Sequence, residues 1–338
     1  MRSEPNYNTI PVGQLGIIAL PGCEELANKI DNYLIRWRFQ RNSEHKDTLA
    51  FAGYEKSTYL INMDFPRFGT GEGKAALNQT VRGYDIYILC DVFNYGVTYK
   101  MYGMTVPMSP DEHFANLKRA ISAIEGKAKR VSVIMPMLYE GRQHKRSSRE
   151  SLDCAMMLQE LHNMGVENFI TFDAHDPRVM NAIPLCGFES ISPAYQMIKA
   201  AVNNVDNLKI NKDNIMIISP DEGGMSRCIY YSTVLGVELG MFYKRRDFSR
   251  IVDGRNPIIA HEFLGDNVEG KDVIIVDDMI SSGESMIEVA TKLKELKAAR
   301  IYIFSAFGLF CNGFDAFDKA FQEGIIDRVF TTNLIYGT

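Results

Sequence analysis

Long apolar runs are missing from this chain. None of its 338 residues falls in a stretch of the ~20 apolar residues that a membrane-crossing helix needs, so no membrane association is expected. The opening segment MRSEPNYNTI has no apolar signal core and no cleavage pattern. A basic excess is missing too. The formal net charge is -5, whereas a general nucleic-acid binder shows the opposite balance. The cysteines (Cys23, Cys90, Cys154, Cys186, Cys228 and Cys311) include no Cys-x-x-Cys pair. Most of them sit in apolar surroundings and read as small core residues of a reduced, cytoplasmic protein, with no disulfide frame or zinc site expected. Low-complexity tracts and long linkers are absent as well.

What is present is a recurring rhythm. Short apolar runs at residues 17–20, 86–90, 131–135, 169–172, 215–218, 273–276 and 301–307 read as buried strands. Helix patterns lie between them. Residues 284–298 place Met286, Ile287, Ala290, Leu293 and Leu296 on one stripe, and residues 151–164 do the same with Leu152, Ala155, Met156, Leu158 and Leu161. Strands alternating with helices mean α/β units around largely parallel sheets. The strand count suits two sheets, with a boundary near residues 190–193, so domains of 1–190 and 191–338 are expected. Residues 94–111 and 245–267 look irregular, and the second reads as a mobile loop.

The strongest motif is residues 273–285, VIIVDDMISSGES. Four β-branched residues form a buried strand. Asp277 and Asp278 are then expected at its carboxyl end, where open α/β sheets bind ligands. The loop Ser281-Ser282-Gly283 follows, and a helix starts near Glu284. Backbone N–H groups at a helix start, together with serine hydroxyls, can cradle a phosphate. Two adjacent carboxylates can accept hydrogen bonds from sugar hydroxyls. The competing reading is an ordinary strand-to-helix turn capped by Asp and Ser.

This stretch resembles the ribose-phosphate loop of the phosphoribosyltransferase-like fold, and in particular that of the ribose-phosphate diphosphokinases (phosphoribosyl diphosphate synthetases). Further segments resemble that family in the same order along the chain. They are Arg67-Phe68-Gly69-Thr70-Gly71-Glu72, then Gly141-Arg142-Gln143-His144-Lys145-Arg146, then Asp173-Ala174-His175-Asp176. Ser219-Pro220-Asp221-Glu222-Gly223-Gly224 and Lys244-Arg245-Arg246 follow. The resemblance implies two tandem phosphoribosyltransferase-like domains, each a mostly parallel sheet flanked by helices. It implies transfer of the β,γ-diphosphate of ATP to the 1-hydroxyl of ribose 5-phosphate. It also implies a Mg2+ cofactor and a homodimer or larger homo-oligomer.

Roles follow from the same resemblance. Arg67, Phe68, Glu72, Arg142, Gln143 and Lys145 would bind ATP. His175 and Asp221 would hold the metal. Lys244, Arg246 and His175 would act in catalysis. Asp221, Asp277, Asp278, Ser281, Ser282, Gly283 and Ser285 would hold the ribose phosphate. A cluster of cations suits a triphosphate, because arginine grips phosphate oxygens in pairs. Taken alone, each of these segments also reads as a surface turn or a solvated charge run.

The departures are specific. Thr70 and His144 stand where the family has aspartates. The usual family loop reads Asp-Asp-x-x-Asp-Thr-x-Gly-Thr; here Ser281 replaces its third aspartate and Glu284 a glycine. A carboxylate ~5 Å from a phosphate charge costs on the order of 3 kcal/mol per charge pair at an effective dielectric of about 20. A ribose with a substituted 5-phosphate, such as ADP-ribose, is therefore an alternative substrate; the other reading has Glu284 pointing to solvent from the first helical turn. A phosphoribosyltransferase and a non-catalytic regulatory homologue are the remaining alternatives.

Overall fold

A computed structural model of the chain describes residues 11–43, 56–246 and 258–336; the side chains at 42, 244–246 and 258–261 are outside that description. The chain divides into two compact units. One runs to Ile191 and takes in Leu334–Tyr336, and the other is Ser192–Asn333.

In the first unit the chain runs β1 (Gln14–Ala19), α1 (Glu24–Ser43), β2 (Met63–Asp64), β3 (Ala76–Leu77) and β4 (Tyr84–Leu89). It continues through β5 (Thr98–Met101), β6 (Met104–Pro107), α2 (Pro110–Ile124), β7 (Arg130–Ile134), α3 (Asp153–Asn163), β8 (Asn168–Phe172) and β9 (Gly187–Ile191). Five strands form one sheet in the order β1-β4-β7-β8-β9, parallel throughout. Its core is built from Ile86, Ile88, Val133, Phe169, Leu117, Leu158 and their neighbours. Each such side chain stabilises by roughly 1.5–3 kcal/mol on full burial. Helix α2 starts on a reciprocal cap, in which Ser109 accepts from Glu112 N–H and Glu112 accepts from Ser109 N–H.

In the second unit the order is α4 (Ala194–Asn204), β10 (Ile215–Ser219), α5 (Met225–Leu235), β11 (Glu238–Arg246), β12 (Ile258–Leu264) and β13 (Asp272–Ile280). Then come α6 (Glu284–Glu295), β14 (Ile301–Gly308), α7 (Asp315–Gln322) and β15 (Arg328–Thr331). The sheet order is β12-β11-β10-β13-β14-β15, parallel except for the antiparallel pair β11 and β12. Met216, Ile218, Val273 and Ile275 pack against α6 and α7 on one side, and Ile217, Ile274 and Val276 against α4 and α5 on the other. A sheet buried on both faces explains the continuous apolar runs of these strands.

Several expectations need correction. Residues 94–111 are not irregular: they contain the β5–β6 hairpin and the start of α2. The segment 245–267 is not one loop. Arg245 and Arg246 continue β11, and Ile258–Leu264 returns beside it as β12; only 247–257 lie outside the described residues. The stripe of α6 buries Met286, Val289, Ala290 and Leu293, while Leu296 is exposed. That of α3 buries Cys154, Met157, Leu158 and Leu161 and exposes Met156. The apolar stripe is rotated because the packed face of each helix is centred one residue away from the assumed line. Cys23, Cys90, Cys154 and Cys228 are buried, Cys186 is half-buried and Cys311 is exposed.

Candidate functional site

The ribose-phosphate segment is built on β13. The strand does not end at Val276 but continues to Ile280, because β14 pairs alongside it as far as Ile280 and Gly308. Asp277 and Asp278 therefore lie within the strand rather than beyond it. Asp278 is buried, at 3% exposure, and its N–H donates to Asp277 Oδ1 at 2.9 Å. The Asp277 carboxyl faces Arg227 Nη1 at 3.7 Å, with side-chain exposures of 23% and 11%. Burial and the adjacent Asp278 push Asp277 well above the ordinary carboxylate range, and Arg227 pulls against them.

Ser281 and Ser282 are half-buried, Gly283 is buried, and Glu284 and Ser285 are exposed. Gly283 has φ +86, and a Cβ there would lie 2.2 Å from a ring carbon of Phe317. Only glycine fits such a left-handed, crowded position. As the N-cap of α6 it also supplies no side-chain acceptor to the first-turn N–H groups. Those donors and the dipole behind them face the serine-rich bend, an arrangement suited to a phosphate. The chain leaving β14 runs beside this bend: Leu309 N–H donates to Ile280 O at 2.9 Å and Cys311 N–H to Ser281 O at 2.9 Å.

Asp221 follows the end of β10. Its Oδ1 accepts the N–H groups of Gly223 at 2.8 Å and Gly224 at 3.2 Å. Ser219 Oγ donates to Asp221 O at 2.7 Å. These bonds fix the carboxylate at the strand's carboxyl end, ahead of α5, and α5 carries Arg227. Sequence reasoning missed Arg227. The signal was a cation in the first turn of a helix, where the dipole favours anions. The side chains of Lys244 and Arg246 lie outside the described residues.

In the first unit, residues 67–72 form a tight turn: Phe68 N–H donates to Glu72 O at 2.8 Å and Gly71 N–H to Phe68 O at 2.9 Å. Phe68 is 55% exposed at its tip, and Glu72 is exposed and accepts from Thr70 Oγ1 at 2.8 Å. Arg67 is differently engaged. It donates to Gly71 O at 2.9 Å, lies 3.7 Å from Glu112 and stacks over Tyr99 at 4.5 Å. Tyr99 in turn donates to Glu112. Arg67 thus ties the turn to the β5–β6 hairpin and α2, a bracing position rather than an open one. Tyr102 N–H completes the contact by donating to Gly69 O at 2.8 Å.

The basic segment begins seven residues after β7 ends at Ile134, later than a strand-end cluster would. Arg142, Lys145 and Arg146 are exposed. The Gln143 amide closes its own loop, donating to Ser151 O at 2.9 Å and Lys145 O at 3.3 Å. His144 brings this loop to the end of β8: its Nε2 is 3.5 Å from Asp176 Oδ2, and its ring centroid is 5.2 Å from that of His175. Asp176 also accepts from Arg178 Nη2 at 2.5 Å. The Arg178 hydrogen bonds, with help from the His144 charge, pull Asp176 down to about 2. Among the described residues, no three His, Cys, Asp or Glu side chains converge as a metal cage. Mg2+ needs no such cage, since it keeps several waters and takes one or two carboxylates plus substrate phosphates; Asp221 offers an oxygen donor of that kind.

Two family models match the chain in tandem. Residues 15–165 match the N-terminal domain of ribose phosphate pyrophosphokinase, and residues 188–308 match the phosphoribosyl transferase domain. The ribose-phosphate pyrophosphokinase of Vibrio parahaemolyticus is 27% identical over 273 residues, 80% of this chain and 77% of that protein. The same-named protein of Ralstonia nicotianae is 26% identical over 80% of this chain and 76% of its own. A solved phosphoribosylpyrophosphate synthetase of Mycobacterium smegmatis shares the fold, with a TM-score of 0.71 at 19% identity over 96% of this chain and 90% of that one. With both halves matched in order and relatives aligned over four-fifths of its length, the chain belongs to the ribose-phosphate diphosphokinase family.

Proposed function

We propose that the protein transfers the β,γ-diphosphate of ATP to the 1-hydroxyl of a ribose phosphate, giving the sugar 1-diphosphate and AMP. One observation carries this reading: an α6 N-terminus with no side-chain cap follows the Ser281–Ser282 bend and the Asp277–Arg227 pair, in a chain of this family. The hydroxyl oxygen bonds to the β-phosphorus. The bond from that phosphorus to the oxygen bridging the α-phosphorus breaks, AMP keeps the electron pair, and the hydroxyl proton passes to solvent. Such transfers depend mainly on positioning and charge stabilisation.

Asp277 and Asp278 orient the sugar hydroxyls, and Ser281, Ser282, Gly283 and Ser285 hold its phosphate. Phe68 and Glu72 take the base of ATP, while Arg142 and Lys145 take its phosphates. Lys244 and Arg246 stabilise charge on the moving diphosphate. Asp221 would offer a carboxylate oxygen to Mg2+, which would supply charge neutralisation along the triphosphate when bound, and His175 would contact the nucleotide phosphates and the metal in the same proposal. Action in the cytoplasm as a homodimer or larger homo-oligomer belongs to the same proposal.

Product identification by mass, after incubation with ATP, Mg2+ and ribose 5-phosphate, tests it. AMP that appears only with sugar, matched by a sugar 1-diphosphate, is the expected result. A phosphoribosyltransferase would release no AMP from ATP, and a regulatory homologue would turn over neither substrate.

A further inference from the structure

We infer that the sugar this loop accepts carries a substituted 5-phosphate, joined to a nucleotide, rather than a free monoester. The inference rests on the diphosphate-transfer reading above and names its substrate class. The first argument is charge. Neither the bend 281–285 (SSGES) nor the neighbouring wall 308–315 (GLFCNGFD) contains a lysine or arginine. Glu284 occupies the first position of α6 and is exposed, and Asp315 opens α7 on the same wall. The phosphate thus meets hydroxyls, backbone N–H groups and the α6 dipole, with no side-chain cation from either segment to neutralise a second charge. A Debye length of about 8 Å does not screen a carboxylate one residue from the cradle. A dianionic monoester brings both charges to the cradle; in a nucleotide-joined sugar the phosphate at the cradle carries one, and the second lies farther out on the next phosphate.

The second argument is the wall itself. Residues 309–311 are bonded along the bend, and Gly283 rests on Phe317. Phe310 lies 5.3 Å from Phe317 and 4.7 Å from Phe314. Phe314 is 42% exposed at the outer end of this aromatic row, and Asn312, two residues earlier in the chain, is exposed as well. A firmly backed, exposed aromatic face suits a planar base. A group attached to the 5-phosphate therefore has both an open way out, past Glu284 and Ser285, and a surface to lie on. The reaction is otherwise unchanged: the product is the 1-diphosphate of the substituted ribose, with AMP and a proton released.

ADP-ribose and ribose 5-phosphate, each with ATP and Mg2+ and followed by AMP release, test this directly. Wild-type kcat/KM is expected to favour ADP-ribose by at least about tenfold. Glu284→Gly should shift the ratio toward ribose 5-phosphate, and Phe314→Ala should lower it through the KM for ADP-ribose. Equal or better use of ribose 5-phosphate by the wild type overturns this inference and leaves the diphosphate transfer standing. Turnover of neither sugar overturns both.

Discussion

Arg227, in the first turn of α5, holds its guanidinium 3.7 Å from the Asp277 carboxyl on β13. Burial and the adjacent Asp278 raise the Asp277 pKa, and the guanidinium opposes that rise without cancelling it. Arg227→Met should lower kcat/KM by about tenfold or more. The acid limb of the pH–rate profile should move to higher pH, and Arg227→Lys should restore part of the loss. An unmoved pH profile in the Met variant would mean that Arg227 only packs.

Asp277 carries a stability cost with a definite sign. Its folded pKa is raised, so its contribution turns unfavourable as pH climbs through the unfolded value of about 3.9. The cost grows until the folded group ionises. Asp277→Asn is expected to match the wild type near pH 3, to melt roughly 2–4 °C higher at pH 7, and to lose sugar-dependent AMP formation. Thermal melts at the two pH values decide it.

Asp176 behaves in the opposite sense. Its folded pKa is lowered to about 2 by Arg178 and His144. The stability it contributes is complete above the unfolded value of about 3.9 and disappears as pH falls through about 2. Urea midpoints of wild type and Asp176→Asn should differ at pH 6 and converge toward pH 2. A constant difference across that range would place the effect elsewhere.

Gly283→Ala meets two obstacles: φ +86 and a ring carbon of Phe317 at 2.2 Å from the new methyl. Left-handed strain and overpacking each cost about 1–3 kcal/mol. The variant should be measurably less stable by chemical denaturation, and its KM for the sugar should rise more than its KM for ATP.

The bracing of the 67–72 turn gives a separate expectation. Tyr99→Leu removes both the ring beneath Arg67 and the hydroxyl bonded to Glu112. The KM for ATP should rise several-fold with little change in kcat, since nothing at the sugar end is touched. Steady-state kinetics with ATP varied at saturating sugar would show it.

How much of this was written in the chain varies by element, for physical reasons. Strand β13 was legible because Val273, Ile274, Ile275 and Val276 are β-branched and buried on both faces. Its continuation through the acids was not, because the neighbouring strand β14 sets that length. Strand β9 escaped notice because it is mostly exposed and so carries no apolar signal. The β5–β6 hairpin escaped because its turn is Tyr102-Gly103, both at positive φ, in place of the usual Asn-Gly. The acid pair and serine bend were legible as a strand running into a bend and a helix start at Glu284. Arg227 and the bracing role of Arg67 were not, since each depends on a partner far away in sequence.

The neighbours of β10 have a bearing on how the second unit is made. This strand lies between β11 and β13, and the thiol of Cys228 reaches Val276 O across a sequence gap of 48 residues. A chain emerging from the ribosome therefore has Asp221 and Arg227 in place before the partner strand exists. Loop-closure entropy must be overcome before these distant segments meet, so Asp277 and Asp278 join only after β10 and α5 have been made. A nascent chain halted before Asp272 would present the Met216 and Ile218 face, which α6 and α7 later cover, as bare apolar surface, a natural handle for a chaperone.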